Sequence, residues 1–317
     1  MSFFVNCGRF KLMAKIFVTK KIPFWEEIKK PLVDAGYELM VGGDIKQELE
    51  KGYDGLLCLL TDKIDGEVLA ADKNKRLKII ANYAVGFDNV AVEECKARNI
   101  MVTNTPCDEV NESVAEFTWT LMLALSNQLL PAAAFAKNAA YKGWEPDIFL
   151  GQLLKGKTLG VIGTGRIGGL VQTRAEAFRM KVLGYSRSSG LKLEDVLGQS
   201  DYVSLHVPLT PETTHLMNET TFAQMKQGSY LVNTARGPVV DEVALVYALK
   251  TGKIGGAALD VWENEPDPRP ELLEMENVIL TPHIASATME ARTAMGKTAV
   301  TNLVEGLAGR TPPNLVK

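Results

Sequence analysis

The stretch TLGVIGTGRIGG, residues 158–169, decides the fold. A short apolar run, typical of a buried strand, leads directly into Gly163, Gly165 and Gly168, where a helical pattern begins. Glycine at these positions permits a tight turn, lets the backbone approach a pyrophosphate, and allows close helix–strand contact. The helix N-terminus offers partial positive charge to the phosphates. We therefore predict a dinucleotide-binding turn, with the intervening Arg166 and Ile167 also at the cofactor.

Short apolar runs alternate with amphipathic stretches on both sides of this turn. Upstream, Trp25–Ala35 and Asp65–Ala71 are predicted helices. The predicted buried strands are AKIFVT, DGLLCLL and LKIIAN upstream, and TLGVIG, KVLGYS, DYVSLHV, SYLVNT, GGAALDV and NVILTP from residue 158 onwards. This alternation is typical of α/β proteins with doubly wound parallel sheets.

Three further segments have helical patterns. Asn111–Leu125 is long and mostly apolar, and Asn111 is a suitable N-cap at its start. Pro131–Tyr141 is rich in alanine. The last helix, Met289–Leu307, follows the final strand, and we expect it to pack back on the first unit.

Composition and charge exclude several classes of function. The 317 residues include 35 Lys and Arg against 38 Asp and Glu, for a net charge of −3. This balance gives no electrostatic attraction to nucleic acid or to an anionic membrane. No apolar run approaches the ~20 residues of a membrane helix, and residues 1–12 are interpreted as an upstream extension. The scattered cysteines and histidines lack metal-ligand spacing, so we expect no metal site and a cytoplasmic protein with buried thiols.

The end of the strand KVLGY indicates which dinucleotide binds. An Asp or Glu there would accept hydrogen bonds from the ribose hydroxyls of NAD and repel the extra phosphate of NADP. The chain instead has Ser186 followed by Arg187, and a guanidinium with hydroxyls suits a phosphate. NADP(H) is therefore favoured. NAD(H) remains the alternative, in which Arg187 only stacks on adenine in a solvated turn.

Three residues that follow predicted strands suit the reduction of a 2-oxo acid. Arg236 follows SYLVNT, Glu265 follows the strand ending near Asp260, and His283 follows NVIL. A ketone oxygen that gains negative charge needs a proton donor such as imidazolium, and a carboxylate behind the ring favours that form. Arginine binds a substrate carboxylate with two parallel hydrogen bonds. Each residue alone could be structural, but three at the carboxyl ends of parallel strands indicate a site.

These segments together resemble the D-isomer-specific 2-hydroxyacid dehydrogenase family from about Ala14 to Val316. The shared motifs are the glycine turn, ANYAVGFDNV, VTNTP, SVAE, VPLTPETTHLMN, NTARGPVVDE, GAALDVWENEP and TPHIASAT. IIANYAVGFDN and TPPNLVK are most similar to glyoxylate/hydroxypyruvate reductases. The resemblance implies a flavodoxin-like substrate domain over 13–106 and 288–317, with a Rossmann dinucleotide-binding domain over 107–287 inserted into it. It also implies a homodimer whose interface uses the helices between Asn111 and Tyr141.

The resemblance also implies roles for individual residues. Arg236 would bind the substrate carboxylate and carbonyl, Glu265 would orient the imidazole, and His283 would be the general acid. The N–H groups of Val85 and Gly86 would hold the substrate carboxylate. The positions that match residues around the nicotinamide and ribose are His206, Pro208, Thr213, Thr234, Ala235, Arg236, Asp260, His283 and Ala285.

The expected function is therefore NAD(P)H-dependent reduction of a small 2-oxo acid, glyoxylate or hydroxypyruvate being favoured, to the D-2-hydroxy acid. Other members of the family act on D-lactate, phosphoglycerate, formate or phosphite, and these remain alternatives. Dinucleotide-sensing corepressors of the same fold are a second alternative, although they carry long flanking tails. One departure from the family is the short segment between SRSSG and LKLEDVL, which predicts an open adenosine end of the cofactor site.

Overall fold

The computed structural model describes residues 13–317. The extension expected over residues 1–12 lies outside this range. The chain forms two compact units, one that runs to Cys107 and resumes over Met289–Lys317, and one over Asp108–Thr288. In the sequence, the second unit is therefore inserted into the first.

Both units are built from parallel strands joined by helices. The strands are β1 Lys15–Val18, β2 Glu38–Val41, β3 Gly55–Leu59, β4 Ile79–Tyr83, β5 Met101–Thr103, β6 Thr158–Ile162, β7 Lys181–Tyr185, β8 Tyr202–Leu205, β9 Ser229–Asn233, β10 Ile254–Leu259 and β11 Val278–Leu280. The helices are α1 Trp25–Ile28, α2 Lys30–Asp34, α3 Ile45–Glu50, α4 Gly66–Ala70, α5 Val92–Ala97, α6 Asp108–Ser126, α7 Leu129–Lys137, α8 Arg166–Ala177, α9 Leu193–Gln199, α10 Glu219–Gln224, α11 Glu242–Lys250, α12 Pro270–Leu273 and α13 Met289–Leu307, with a 3₁₀ turn at Gly237–Val239.

The first unit has one parallel sheet in the order β2-β1-β3-β4-β5. This is the flavodoxin-like order, as the resemblance implies. Every residue of β4 is buried. The returning helix α13 covers this strand, and the Tyr83 hydroxyl donates to the Arg292 carbonyl at 2.8 Å. The expectation that the last helix packs on the first unit is confirmed.

The second unit has a six-stranded parallel sheet in the order β11-β10-β9-β8-β6-β7. The chain leaves β6 for β7 on one side and later returns to β8 on the other. The carboxyl end of β6 is thus a topological switch point, where open α/β sheets bind ligands. β7 forms an edge of the sheet, and the short segment after it leads into α9.

Apolar side chains cover both faces of this second sheet. Leu231 and Val232 are neighbours on β9 and point to opposite faces, as alternation along a strand requires. Leu231 belongs to a buried cluster with Leu245 of α11. Val232 belongs to another with Met122 of α6. The sheet is therefore buried on both faces, which explains why its strands are almost continuously apolar.

Two local predictions were wrong, and two strands, β2 and β5, were missed. Trp25–Ala35 is two short helices, because Pro31 lacks an N–H and begins a new helix near its own position. Asn111 is not an N-cap but is buried inside α6, which begins at Asp108 with two acidic residues in its first turn. The strand β2 is a half-exposed edge strand whose apolar run, Leu39–Val41, has only three residues, and β5 is itself only three residues long.

No single helix within residues 13–317 is long and apolar enough to cross a membrane. The pair α6 and α7 meets the length and composition requirement only together, and it is bent by 65°. Many of the apolar residues of α6 are buried in the second unit.

Candidate active site

The glycine turn after β6 satisfies a different steric demand at each glycine. Gly163 has φ +97, and a Cβ on it would lie 2.4 Å from the His206 carbonyl oxygen. A Cβ on Gly168 would lie 1.9 Å from the Gly163 carbonyl oxygen. Gly165 caps α8, and a Cβ there would meet no protein atom within 4 Å. Gly163 and Gly168 are needed by the fold, whereas Gly165 leaves open space at a helix N-terminus, as a bound pyrophosphate requires.

Arg166 and Ile167 form the first turn of α8, directly after the Gly165 cap. The loop after β7 presents hydroxyl groups and the guanidinium of Arg187. The Ser189 hydroxyl accepts from the Ser186 N–H at 3.1 Å, and the Ser186 and Ser188 hydroxyls lie 3.3 Å apart. Arg187 is exposed and attracts Glu212, whose pKa is lowered mainly by the Thr210 hydroxyl and to a smaller extent by Arg187.

The loop after β8 contains a histidine in its neutral form. Nε2 of His206 lies 2.8 Å from the hydroxyl of the buried Ser204. Desolvation lowers the pKa of His206 to about 4. Its ring is therefore uncharged near neutral pH. Further along, Thr213 donates to the Pro208 carbonyl at 2.6 Å and accepts from the Thr210 N–H at 2.8 Å, which closes the loop.

The loop after β9 is fixed by a buried amide side chain. Asn233 is fully buried, and its carboxamide bonds the Ala235 N–H at 3.0 Å and the Arg236 carbonyl at 2.9 Å. The Thr234 hydroxyl lies 3.0 Å from the hydroxyl of Thr118 on α6. Arg236 is half-buried, and its Nη1 donates to the Ala235 carbonyl at 2.7 Å. These hydrogen bonds therefore fix the backbone of the loop, and the guanidinium of Arg236 extends from it.

The loops after β10 and β11 bring a carboxylate and an imidazole together. Nδ1 of His283 lies 2.9 Å from Oε2 of Glu265, and the two side chains are 26% and 31% exposed. His283 has φ +54, a left-handed conformation that costs a non-glycine residue free energy. This conformation is held by its own N–H, which donates to the Asp260 carbonyl at 2.9 Å.

Asp260 anchors the histidine loop and is itself fully buried. One carboxylate oxygen accepts from the Thr281 hydroxyl at 2.7 Å and the Ile284 N–H at 2.9 Å, and the other accepts from the Ala285 N–H at 2.8 Å. Burial raises the pKa of Asp260, although the hydrogen bonds from these three donors act in the opposite direction. Ala285 is held from its other side by Ser113 of α6, whose hydroxyl donates to its carbonyl at 2.8 Å.

A pair of glutamates, Glu242 and Glu263, joins the start of α11, which follows the Arg236 loop, to the loop after β10. The Glu263 N–H donates to the Glu242 carboxylate at 2.7 Å, and the Glu242 N–H donates back at 3.2 Å. The ring of His215 lies 2.6 Å from Glu263. Burial raises the pKa of Glu242. Close packing completes the junction, because a Cβ on Gly237 would lie 1.9 Å from the Trp262 carbonyl oxygen.

Val85 and Gly86 lie in the first unit, in the turn after β4, and both are half-buried. Hydrogen bonds from side chains hold the carbonyls of these two residues. Among the hydrogen bonds found in residues 13–317, none uses the N–H of Val85 or of Gly86. This turn is therefore a pair of adjacent amide donors, the arrangement that binds carboxylates.

Several residues that shape these loops were not singled out as site residues from the sequence. They are Thr118, Asn233, Glu242 and Glu263. Asn233 and Glu242 lie within NTARGPVVDE, and their signal is a polar residue at the end of an apolar strand or at a helix start. Thr118 gave no signal, because its contact with Thr234 spans 116 positions of sequence. No group of three or more potential metal-ligating side chains occurs in the described part of the chain.

Comparison with known proteins identifies the family. The family profile described as "D-isomer specific 2-hydroxyacid dehydrogenase, NAD binding domain" matches residues 119–285, which include the glycine turn and the arginine, glutamate and histidine loops. This chain belongs to the D-isomer-specific 2-hydroxyacid dehydrogenases. As a member of that family it is an oxidoreductase that uses a nicotinamide dinucleotide.

Relatives of this dehydrogenase match along nearly its whole length. The glyoxylate reductase of Thermococcus litoralis is 42% identical, over 96% of this chain and 97% of the relative. The solved NADPH-dependent glyoxylate/hydroxypyruvate reductase of Sinorhizobium meliloti, in complex with NADP and malonate, has a TM-score of 0.84 at 32% identity, over 96% of each chain. The D-lactate dehydrogenase of Aquifex aeolicus, complexed with NAD and lactic acid, has a TM-score of 0.82 at 33% identity, over 95% of this chain and 98% of that one.

Proposed function

We propose that this dehydrogenase reduces glyoxylate to glycolate, and also hydroxypyruvate to the D-2-hydroxy acid. The observation that carries the proposal is the hydrogen-bonded pair of His283 and Glu265 beside the arginine loop. The choice of substrate is supported by relatives that match over 96% of the chain and are glyoxylate reductases.

His283 is proposed as the proton donor. Its Nδ1 faces Glu265, which leaves Nε2 on the far side of the ring to face a substrate. A carboxylate that accepts from Nδ1–H fixes the orientation of the ring, so that in the imidazolium form the second proton, on Nε2, faces the substrate. That proton passes to the carbonyl oxygen of the 2-oxo acid, which becomes the hydroxyl of the product.

Arg236 and the amides of the first unit are proposed to bind the substrate. The guanidinium of Arg236 supplies paired donors to the carboxylate and the carbonyl oxygen, and polarises the carbonyl before reduction. The N–H groups of Val85 and Gly86 are proposed as further donors to the carboxylate. The contact of the guanidinium with the carbonyl oxygen strengthens as negative charge develops on that oxygen.

The residues that would hold the dinucleotide belong to the second unit. The open space at Gly165, next to Arg166 and Ile167 at the start of α8, would receive the pyrophosphate. The remaining positions proposed to contact it are Gly163, Gly168, Ser186, Arg187, His206, Pro208, Thr213, Thr234, Ala235, Asp260 and Ala285. When bound, the reduced nicotinamide supplies the hydride for the carbonyl carbon.

We propose that NADPH is preferred to NADH. Ser186 stands where a carboxylate would repel the additional phosphate, and Arg187 with the neighbouring hydroxyls suits that phosphate. The exposure of Arg187 and the edge position of β7 limit the preference, because solvent screens exposed charges.

The exposed apolar surface of the second unit indicates how the protein assembles. We propose a homodimer that buries the exposed apolar surface of α7 and the following loop. This surface includes Leu129, Leu130, Tyr141, Trp144, Leu150 and Leu153, with Trp144 at 80% exposed. We also propose a cytoplasmic location, with which the thiols of Cys58, Cys95 and Cys107 agree, because none of the three forms a disulfide and disulfides are rare in the reducing cytosol.

Initial rates with several acids test the function. Glyoxylate, hydroxypyruvate, pyruvate and phenylpyruvate should be compared, each with NADPH and with NADH, and the hydroxypyruvate product should be analysed for chirality. We expect the highest kcat/KM for glyoxylate or hydroxypyruvate and a D product. A clear preference for pyruvate would contradict the substrate assignment, and no reduction of any 2-oxo acid would contradict the function.

A further inference from the structure

The turn after β4 is held from one side by side chains and backbone near the end of β5. The Asn104 side chain donates to the Val85 carbonyl at 2.7 Å. The Thr105 N–H donates to the preceding carbonyl, that of Ala84, at 2.8 Å. Two successive peptide carbonyls are thus directed toward the residues that follow β5.

This arrangement determines where the neighbouring N–H groups point. In a planar trans peptide the C=O and the N–H point in opposite directions. With the carbonyls of Ala84 and Val85 fixed toward Thr105 and Asn104, the N–H groups of Val85 and Gly86 point away from them. Both donors therefore lie on the side of the turn opposite Asn104 and Thr105.

A pair of asparagines, Asn82 and Asn89, also holds the turn. Asn82 is fully buried, and its Nδ2 donates to the Gly86 carbonyl at 3.0 Å and to the Asn89 side chain at 2.9 Å. Asn89 in turn donates to the carbonyls of Leu59 and Asp62, at 3.1 and 2.9 Å. This pair fixes the Gly86 carbonyl, whereas the side-chain hydrogen bond to the Val85 carbonyl within residues 13–317 comes from Asn104.

Asn104 is itself positioned by the end of the chain. Its N–H donates to the Asn314 carbonyl at 3.3 Å, and its carbonyl accepts from the side chain of Asn302, on α13, at 3.1 Å. Asn302 is fully buried and also accepts from the Asn314 N–H at 3.2 Å. Next to this junction the Val316 N–H donates to the Val102 carbonyl at 2.8 Å, which places the C-terminal segment along the free edge of β5.

We propose that Asn104 is a positioning residue for substrate binding, which orients the amides of Val85 and Gly86 toward the substrate carboxylate. Asn302, together with residues 314–316, holds Asn104 in place. This inference rests on the proposed function, because it names what shapes the carboxylate-binding amides. Asn104 does not touch the reacting atoms. Its effect should be restricted to substrates that have a carboxylate.

The experiment compares glyoxylate with its uncharged methyl ester in the full-length enzyme. In Asn104→Ala the Val85 carbonyl loses its donor and the peptide is free to rotate. We expect kcat/KM for glyoxylate to fall about tenfold to a hundredfold, mainly through KM, which is the usual worth of lost charge-assisted hydrogen bonds. Methyl glyoxylate reduction and the Kd for NADPH should change less than about twofold. Asn74→Ala, an exposed asparagine of the same unit, is the matched control and should behave as wild type.

A second variant covers the case in which Asn104→Ala does not fold. Asn302→Ala leaves the Asn104 side chain in place but removes its support, so it should show the same selectivity with a smaller loss. Equal losses for acid and ester in either variant would mean that Asn104 is merely structural, and would overturn the proposal. A wild-type enzyme that reduces glyoxylate but shows no preference for acid over ester would also overturn it. Absence of any wild-type reduction would instead refute the proposed function.

Discussion

Nδ1 of His283 lies 2.9 Å from Oε2 of Glu265, although the two residues are 18 positions apart and follow different strands. The pair forms because β10 and β11 are adjacent in the sheet and end at the same edge. The left-handed backbone of His283, φ +54, turns the ring toward the glutamate loop. A backbone outlier at a histidine paired with a carboxylate is the kind of strain found at functional sites.

We expect His283→Ala to lower kcat for glyoxylate by about 10²–10⁴, the usual worth of a positioned general acid. The Kd for NADPH should change little, because the ring serves proton transfer. His215→Gln is the matched control, since glutamine can still bond Glu263, and it should keep most of the turnover. Fluorescence titration gives the Kd, and steady-state rates give kcat. Near-normal turnover of the alanine variant would remove His283 from the mechanism.

Replacement of Arg236 by lysine should not restore activity. An ammonium lacks the planar pair of donors that binds a carboxylate and a carbonyl together. We therefore expect Arg236→Lys and Arg236→Ala to show similar large losses in kcat/KM for the 2-oxo acid, with the cofactor Kd nearly unchanged. If lysine restores most of the kcat/KM, the residue contributes only a positive charge.

Asp260→Asn should lower stability more than an ordinary isosteric change. Three donors converge on the two oxygens of this buried carboxylate, and a carboxamide would place its NH₂ against one of them. We expect a loss of about 1–3 kcal/mol in the free energy of unfolding, the cost of an unsatisfied buried polar group. Urea denaturation at pH 7 measures it, and a change below about 0.5 kcal/mol would show that the loop does not depend on Asp260.

Sequence patterns predicted the parts of this structure that depend on local chemistry. The α/β fold class, both parallel sheets and the bounds of α13 follow from apolar runs and glycine positions. The strand ends that carry Arg236, Glu265 and His283 could be placed for the same reason. That Glu265 contacts His283 could be expected only from the family resemblance, since it depends on which strands are adjacent.

The rest depended on tertiary contacts that leave little trace in the sequence. Asn111 was interpreted as an N-cap because asparagine favours that position, but burial inside α6 overrides that preference. The contact of Asn302 with Asn104 joins residues 198 positions apart. No local pattern distinguishes such an asparagine from one on the surface.

His206 should make stability depend on pH in a defined window. Its pKa of about 4 in the folded enzyme lies below the ordinary value of 6.5, so the unfolded chain binds more protons between these pH values. The free energy of unfolding should therefore be fully retained above pH 6.5 and fall as pH decreases toward 4. His206→Gln does not titrate, so it should lose less stability than wild type over this range. Urea denaturation from pH 7.5 to 4.5 measures both, and parallel pH profiles would contradict the assignment.

The residues at the end of β7 are expected to determine whether NADPH or NADH is preferred. A charge-assisted contact between Arg187 and the additional phosphate of NADPH is worth ~1.5–3 kcal/mol, and an exposed ion pair ~0–1 kcal/mol. Because Arg187 is exposed, we expect a preference for NADPH near the lower end, about tenfold in kcat/KM. Ser186→Asp should reverse it, since the carboxylate accepts from the ribose hydroxyls of NADH and repels the phosphate. Glu212→Gln should strengthen it, because Glu212 competes with the phosphate for Arg187. If wild type prefers NADH and Arg187→Ala leaves the NADPH kinetics unchanged, the NADP(H) assignment is wrong, and the roles proposed for Arg236, Glu265 and His283 are unaffected.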